Sequence, residues 1–151
     1  MTATSAKPDD LTLDVRQEIR VHAPLDVTFA ALLEQLGPFN ETSDENKMPM
    51  KLEAWPGGRW YRDLGDNNGH FWGNVQAIKR PTLLEISGPL FMSSPATNNL
   101  QYRLSEVNGG TLITFHHWGF GVILEEHRGG VVKGWTHIHE MVTKRAEAGR
   151  R

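Results

Sequence analysis

The middle of the chain alternates short apolar runs with clusters of turn-forming residues. The runs are too short for ordinary helices and are typical of β-strands. Most connections between them are only about two to five residues long, which predicts antiparallel neighbours rather than parallel crossovers. The turn clusters are Pro56-Gly57-Gly58, Gly65-Asp66-Asn67-Asn68-Gly69, Arg80-Pro81, Ser87-Gly88-Pro89 and Asn108-Gly109-Gly110.

Seven segments have the composition and length of strands, and several of them alternate apolar with polar residues. Successive strand residues face opposite sides of a sheet, so alternation predicts one buried face and one solvated face. On the last two strands we expect the buried row to include Tyr102, Phe115 and His117. The predicted strands span residues 11–21, 50–55, 59–64, 70–78, 83–87, 100–106 and 111–120.

Two other stretches repeat apolar residues at helical spacing. The first begins after Ala23-Pro24, where proline suits a first helical turn, and ends before Gly37-Pro38. The second begins near Leu124 and closes the chain, so it predicts a long helix with one apolar face. Its apolar positions are Leu124, Val131, Val132, Trp135, Ile138, Met141 and Val142.

Glycines interrupt the start of this last helix. Gly129, Gly130 and Gly134 each lower helix stability by roughly 1 kcal/mol relative to alanine, so we expect a bend or a break there. Gly134 has two interpretations at this point. It either allows close packing of the helix on the sheet or leaves space for a ligand.

An α+β fold follows, in which a curved seven-stranded antiparallel sheet wraps around a long C-terminal helix. Such an arrangement buries both elements and often leaves a pocket between them. We expect one domain over residues 11–149, preceded by a disordered N-terminal tail at residues 1–10, which are small and polar.

Composition narrows the function. A formal net charge of -2 provides no global field that attracts nucleic acid or anionic membranes. The chain has no cysteine, which excludes thiol catalysis and Cys-ligated zinc, and it has no apolar run long enough for a signal peptide or a membrane span. A cytoplasmic protein is the default expectation.

Seven histidines raise the question of a metal site. His116 and His117 are adjacent on a strand and face opposite sides, while His137 and His139 point about 200° apart on a helix. Neither pair can hold one ion alone, so we expect no metal and no other cofactor. His117 is instead a candidate hydrogen-bonding group or general base in an apolar cavity, with a satisfied core histidine as the alternative.

Four local motifs resemble the Aha-type branch of the START-like, helix-grip superfamily (SRPBCC), which includes homologues of the activator of a heat-shock chaperone ATPase. They occur in order from Glu18 to Val142. In the last predicted strand, His116-His117-Trp118 departs from relatives, which often have smaller or acidic residues there. The motifs are Glu18-Ile19-Arg20-Val21-His22-Ala23-Pro24, Pro56-Gly57-Gly58-Arg59-Trp60, the stretch at residues 72–84, and the stretch at residues 110–120 followed by Gly134-Trp135.

The resemblance implies a helix-grip fold and leaves three functions open. The superfamily includes proteins that bind lipids and hormones, cyclise polyketides and regulate chaperones, and fold alone does not choose among them. Our main expectation is binding of a small hydrophobic or aromatic ligand between the sheet and the C-terminal helix. The alternatives are a chaperone-associated or stress-response interaction module and a cyclase- or hydrolase-like enzyme with His117 as general base.

The predicted site is a cavity lined by aromatic and apolar side chains, with His117 as the main polar contact. Trp135 is expected in the core. Residues 88–99 are predicted to form a lid and residues 40–47 a flexible flap. If Trp55 or Trp72 is exposed, its ring can be buried against a second copy of the chain, so a homodimer is an alternative to a monomer. The predicted ligand-binding residues are Trp60, Tyr102, Phe115, His117, Trp118, Ile138 and Met141.

Overall fold

A computed structural model describes residues 8–149 of the chain. A short 3-10 helix at Pro8–Leu11 leads into seven strands and two α-helices, and the predicted α+β class is confirmed. The strands are β1 (Thr12–Val21), β2 (Lys51–Leu52), β3 (Arg59–Gly65), β4 (Asn68–Lys79), β5 (Leu83–Gly88), β6 (Ala96–Val107) and β7 (Gly110–Gly121), and the helices are α1 (Leu25–Leu36) and α2 (Glu125–Ala148).

All seven strands form one antiparallel sheet in the order β1-β7-β6-β5-β4-β3-β2. Because every neighbouring pair except β1 and β7 is consecutive in sequence, short turns make almost the whole sheet. The β6–β7 register pairs Leu100 with His117 and Tyr102 with Phe115. These four side chains are at most 1% exposed, so the buried row expected from alternation is present.

The two helices cover the inner face of the sheet and contact each other. α2 runs unbroken over 24 residues through Gly129 and Gly130, so the expected break is wrong. Packing outweighs the glycine penalty here, because Val131, Trp135 and Val142 are all buried against the core. Neither helix of the described residues is long and apolar enough to cross a membrane.

The N-terminal boundary differs from expectation. Residues 1–7 of the predicted tail lie outside the described residues, but Pro8–Leu11 is helical. The guanidinium of Arg128 in α2 donates to the carbonyl oxygens of Asp10 and Thr12, at 3.0 and 2.9 Å. These two bonds give residues 8–10 a fixed position that composition alone did not indicate.

Two element bounds also moved. β2 is limited to Lys51–Leu52. The backbone N–H of Glu53 still donates to the carbonyl of Arg59, but the backbone N–H of Arg59 donates to the Glu53 carboxylate at 2.9 Å, and the Arg59 guanidinium donates to the same oxygen at 2.9 Å. β6 begins at Ala96, so the predicted lid at residues 88–99 is shorter than expected. The lid is residues 89–95 from here on, and it is well packed, since Leu90 and Met92 are at most 1% exposed.

Candidate functional site

A cleft of about 270 Å³ opens between the sheet, the lid and the N-terminal half of α2. The predicted flap at residues 40–47 and the adjacent Met48 form its remaining wall. Most of the lining is aromatic, aliphatic or glycine, with polar groups concentrated on the flap and at the start of α2. The lining residues are Glu41, Thr42, Ser43, Met48, Trp72, Phe91, Glu126, His127, Gly130, Val131, Gly134, Trp135 and Ile138.

Missing side chains on α2 create much of this space. A Cβ atom built on Gly130 or Gly134 would find no heavy atom within 4 Å outside the helix. Close helix–sheet packing is therefore excluded as the reason for Gly134. The other interpretation, space beside the helix, agrees with the structure.

Aromatic rings give the cleft a firm floor. Phe91 of the lid packs edge-to-face against Trp72, with ring centroids 5.8 Å apart, and against His127 at 5.3 Å. Behind them Trp60 contacts Trp72 at 5.0 Å and donates its indole N–H to the carbonyl of Leu36 at 2.8 Å. That bond satisfies one of the free carbonyls at the end of α1 and fixes the ring that supports the cleft.

The flap is attached to α2 by one polar contact. Nε2 of His137 lies 2.8 Å from Oε1 of Glu41, and both side chains are less than 20% exposed. Glu41 also lines the cleft, so the contact holds a carboxylate at its edge. The predicted flap thus contributes to the site through Glu41, Thr42 and Ser43, and Met48 follows directly after it.

His117 is fully buried, and both of its ring nitrogens are bonded. The indole N–H of Trp135 donates to Nδ1 at 2.9 Å, so Nδ1 is unprotonated and Nε2 donates to Oδ1 of Asn98 at 2.8 Å. Burial, with a smaller effect of the charge on His116, lowers the pKa of His117 to about 4. A neutral imidazole with both nitrogens occupied matches the satisfied core histidine and removes the free lone pair that a general base needs.

Asn98 extends this network to the lid. Its Nδ2 donates to the carbonyl of Pro89 at 3.3 Å and lies 3.6 Å from the sulfur of Met92. Gly119 makes the arrangement possible, because a Cβ there would collide with Oδ1 of Asn98. The chain of contacts from Trp135 to Pro89 therefore connects α2, β7, β6 and the lid.

A second network lies further along α2 and extends from buried Tyr102 and His139 to the exposed Thr136. Oε1 of Gln17 accepts from Nδ1 of His139 at 2.7 Å, which leaves Nε2 to accept from the hydroxyl of Tyr102 at 2.9 Å. Nε2 of Gln17 donates to Oγ1 of Thr136 at 3.1 Å. Burial lowers the pKa of His139 to about 3 and raises the pKa of Tyr102.

Rings occupy the space beside His117 where the cavity was expected. Phe115 lies 4.8 Å from Tyr102, 5.0 Å from Trp135 and 4.5 Å from His139, measured between centroids. The open space is instead closer to the start of α2. The cleft and the filled region share one wall, which is Trp135.

The structure separates the predicted ligand-binding residues into three groups. Ile138 lines the cleft. Trp60, Tyr102, Phe115 and His117 lie behind it as core side chains, each at most 1% exposed. Met141 is half-buried one turn beyond Ile138 and lies outside the lining, and Trp118 is on the other face of the sheet.

Trp118 requires a correction. It is 40% exposed, and its ring stacks on His116 at a centroid distance of 3.6 Å on the outer face. Nε2 of His116 lies 2.9 Å from Oδ1 of Asp14 on the neighbouring strand. Because Trp118 follows the inward-facing His117, strand alternation places it outside, and it cannot contact a ligand in the cleft.

Several lining residues were not predicted as ligand contacts. Phe91 comes from the loop expected to form the lid, and Met48 follows the predicted flap. Trp72 was expected to be an exposed ring, although it is 7% exposed. Trp135 belongs to the core, as expected, and also forms a wall. The available signal was the pair of glycines spaced four residues apart, Gly130 and Gly134, on the face beside Trp135.

Solved structures share this fold. Protein MLL2253 from Mesorhizobium loti has a TM-score of 0.71 at 16% identity, over 91% of this chain and 98% of that one. Protein CV1439 from Chromobacterium violaceum has a TM-score of 0.69 at 12% identity, over 89% and 96%. Ara h 8.0201 has a TM-score of 0.67 at 13% identity, over 91% and 99%. At such identities the likeness concerns the fold alone.

Comparison of the sequence with family models identifies the family, which the structural likeness alone does not. No curated protein matches the chain. Residues 22–147, which include α1, the sheet from β2 to β7 and nearly all of α2, match the family model described as "Activator of Hsp90 ATPase homolog 1-like protein". The chain therefore belongs to this Aha-type family of the START-like superfamily, as the sequence motifs indicated.

Proposed function

We propose that this protein binds a small apolar or aromatic molecule in the cleft between the flap, the lid and the first half of α2. The observation that carries the proposal is the open space beside Gly130 and Gly134, enclosed by the rings of Trp72, Phe91 and Trp135. Natural ligand pockets are mostly apolar concavities of about 300–1,000 Å³. A cleft of about 270 Å³ is slightly smaller than that range and suits a one- or two-ring molecule.

The proposed ligand replaces side-chain volume that α2 lacks. Burying apolar ligand surface against Val131, Trp135 and Ile138 contributes about 25 cal/mol per Å² removed from water. The bonded network behind Trp135 holds its ring in place before binding, so little ordering cost falls on that wall. The lid and the flap supply the opposite side of the site.

The test uses a neutral fluorescent probe, N-phenyl-1-naphthylamine, whose emission rises in apolar surroundings. We expect saturable binding to the wild-type protein and loss of it in Gly134→Leu, whose side chain would fill the cleft. Gly129→Leu is the matched control, because Gly129 also has open space around a built Cβ but is not a lining residue. Both substitutions replace a helix glycine, so neither should lower the unfolding temperature.

Equal probe binding in Gly134→Leu and the wild type would contradict the proposal. Equal loss in both leucine variants would also contradict it, because the effect would then be independent of the cleft. Retained binding in Gly129→Leu alone supports the assignment.

A chaperone contact is a second candidate, and the family description alone favours it. The discriminating measurement is the ATPase rate of purified Hsp90 with and without this protein, accompanied by direct binding of the two components. Stimulation that persists in Gly134→Leu would assign the contact to a surface other than the cleft. Absence of both binding and stimulation would contradict this candidate.

A further inference from the structure

We infer that the ligand of the cleft is a cationic amphiphile, an amine or quaternary ammonium attached to a small apolar or aromatic body. The inference rests on the proposed function and adds the charge of the ligand. It depends on the charged side chains at the edges of the cleft, where carboxylates are present and lysine and arginine are not.

Carboxylates stand at two edges of the cleft. Glu41 belongs to the flap and Glu126 to the first turn of α2, so they approach from different elements. The described part of the lining contains neither lysine nor arginine. Lys47 of the flap and Lys133 of α2 are exposed outside the lining, and the guanidinium of Arg128 is bound to the carbonyls of Asp10 and Thr12.

The Glu41 carboxylate keeps one oxygen available. His137 contacts Oε1, whereas Oε2 accepts no hydrogen bond from the described residues. Thr42 and Ser43 belong to the same wall. Oγ1 of Thr42 already accepts the backbone N–H of Asn46 at 3.2 Å, but a hydroxyl oxygen has two lone pairs, so both residues retain an acceptor for an ammonium group. The flap therefore offers several acceptors to a donor-rich head group.

The N-terminus of α2 disfavours a bound cation, but its partial charge is smaller than the charges of the glutamates beside it. An α-helix carries a partial positive charge of about +0.5 at its start, which by itself favours anions. Two full negative charges, Glu125 and Glu126, already occupy the first turn of α2. Two histidines also lie here, His127 in the lining and His137 against Glu41, and they carry positive charge only when protonated. With neutral histidines the local balance is negative, and an anionic ligand would meet carboxylates at both edges.

Aromatic walls reinforce the same preference. The faces of aromatic rings attract cations, and tryptophan does so most strongly. Trp72, Phe91 and Trp135 all line the cleft. An ammonium group that moves from water into the cleft would therefore contact both aromatic rings and carboxylates. An apolar body with a cationic end matches both parts of the lining.

The test compares three ligands with one body: 2-naphthylmethylamine, 2-naphthylmethanol and 2-naphthoate. Isothermal titration calorimetry near neutral pH gives each affinity directly. We expect the amine to bind about tenfold more tightly than the alcohol, and the carboxylate to bind more weakly than the alcohol. The preference should shrink between about 20 and about 300 mM salt, because added salt screens partly exposed charges.

Charge-removing variants locate the effect. Glu41→Gln and Glu126→Gln should each lower the amine-to-alcohol affinity ratio by about threefold. Asp44→Asn and Glu125→Gln are matched controls, since they remove the same charge from the same two segments outside the lining, and they should leave the ratio unchanged. Using the ratio separates charge from any change in cleft shape, because a shape change affects both ligands.

Three outcomes are decisive. Equal affinity of the wild type for all three ligands would overturn the cationic preference and leave the proposed apolar site standing. Equal effects of the lining and control variants would also overturn it, by assigning the preference to net charge. Failure of all three ligands to bind would contradict the proposed function itself, and the inference would fall with it.

Discussion

The indole N–H of Trp135 donates to Nδ1 of His117 across 2.9 Å, in a region where both side chains are at most 3% exposed. This bond fixes the tautomer of the imidazole and directs its remaining N–H to Asn98. It also holds the ring that separates the filled core from the cleft. The same contact therefore serves stability and the shape of the proposed site.

Removing the indole donor should be costly. Trp135→Phe leaves Nδ1 of His117 buried without its partner, and we expect the free energy of unfolding to fall by about 1–3 kcal/mol or more, since lost packing adds to the unsatisfied acceptor. Urea denaturation followed by circular dichroism measures the change. Trp118→Phe on the outer face is the control and should shift stability by only about 0.5 kcal/mol. Similar losses in the two variants would show that the buried bond contributes little.

Stability should fall in mild acid. The pKa values of His117 and His139 are lowered to about 4 and about 3, while in the unfolded chain both groups titrate near 6.5. Between these limits the unfolded state binds more protons, so stability is full above about pH 6.5 and decreases as the pH falls toward about 4 and 3. Each pKa unit corresponds to about 1.4 kcal/mol, which makes the total loss several kcal/mol.

Urea titrations across this pH range test the prediction, and His139→Gln supplies the control. The variant lacks one of the two titrating groups, so its stability should depend less steeply on pH than that of the wild type. An equally steep curve in the variant would assign the acid sensitivity to other groups.

Two glycine-to-alanine changes should act in opposite directions. Gly119→Ala places a Cβ against Oδ1 of Asn98, and we expect it to break the His117–Asn98 bond and destabilise the protein by about 1–3 kcal/mol. Gly129→Ala meets open space within a helix and should stabilise by up to about 1 kcal/mol. Thermal unfolding of both proteins gives the comparison, and a shift of the same sign in both would contradict it.

The lid should loosen when its central ring is removed. Phe91 contacts Trp72, His117 and His127, so Phe91→Ala deletes the ring contacts between the lid and both walls of the cleft, while the backbone bond from Leu90 to Trp72 remains. We expect faster amide hydrogen exchange in residues 89–95 and weaker probe binding, while exchange in β6 and β7 remains slow. Uniformly faster exchange would instead indicate global destabilisation.

Most of the fold could be predicted because its signals are local. Turn clusters predicted where the strands end, and alternation predicted the buried row on β6 and β7 that includes Leu100 and His117. Both signals depend only on residues that are close in sequence. The length of β2 was overestimated because the Glu53 carboxylate binds Arg59 across a turn. The tail at residues 8–10 was expected to be disordered because Arg128, which binds its backbone, is distant in sequence. No local pattern reports such contacts.

The site was less predictable, and one error was avoidable. Alternation had already separated His116 from His117, and the same rule puts Trp118 outside. The buried network through Asn98 and His139 was different, because its members come from separate strands and from α2. Its only sequence signal is the spacing of Trp135 and His139, four residues apart on an apolar helix face.

The volume beside α2 arises where side chains are lacking, at Gly130 and Gly134, rather than from a deformation of the sheet. The volume of the cleft can therefore be changed at these two positions, and alanine, valine or leucine there would reduce it stepwise. Because those positions touch nothing across the gap, such grading would proceed without repacking the interior.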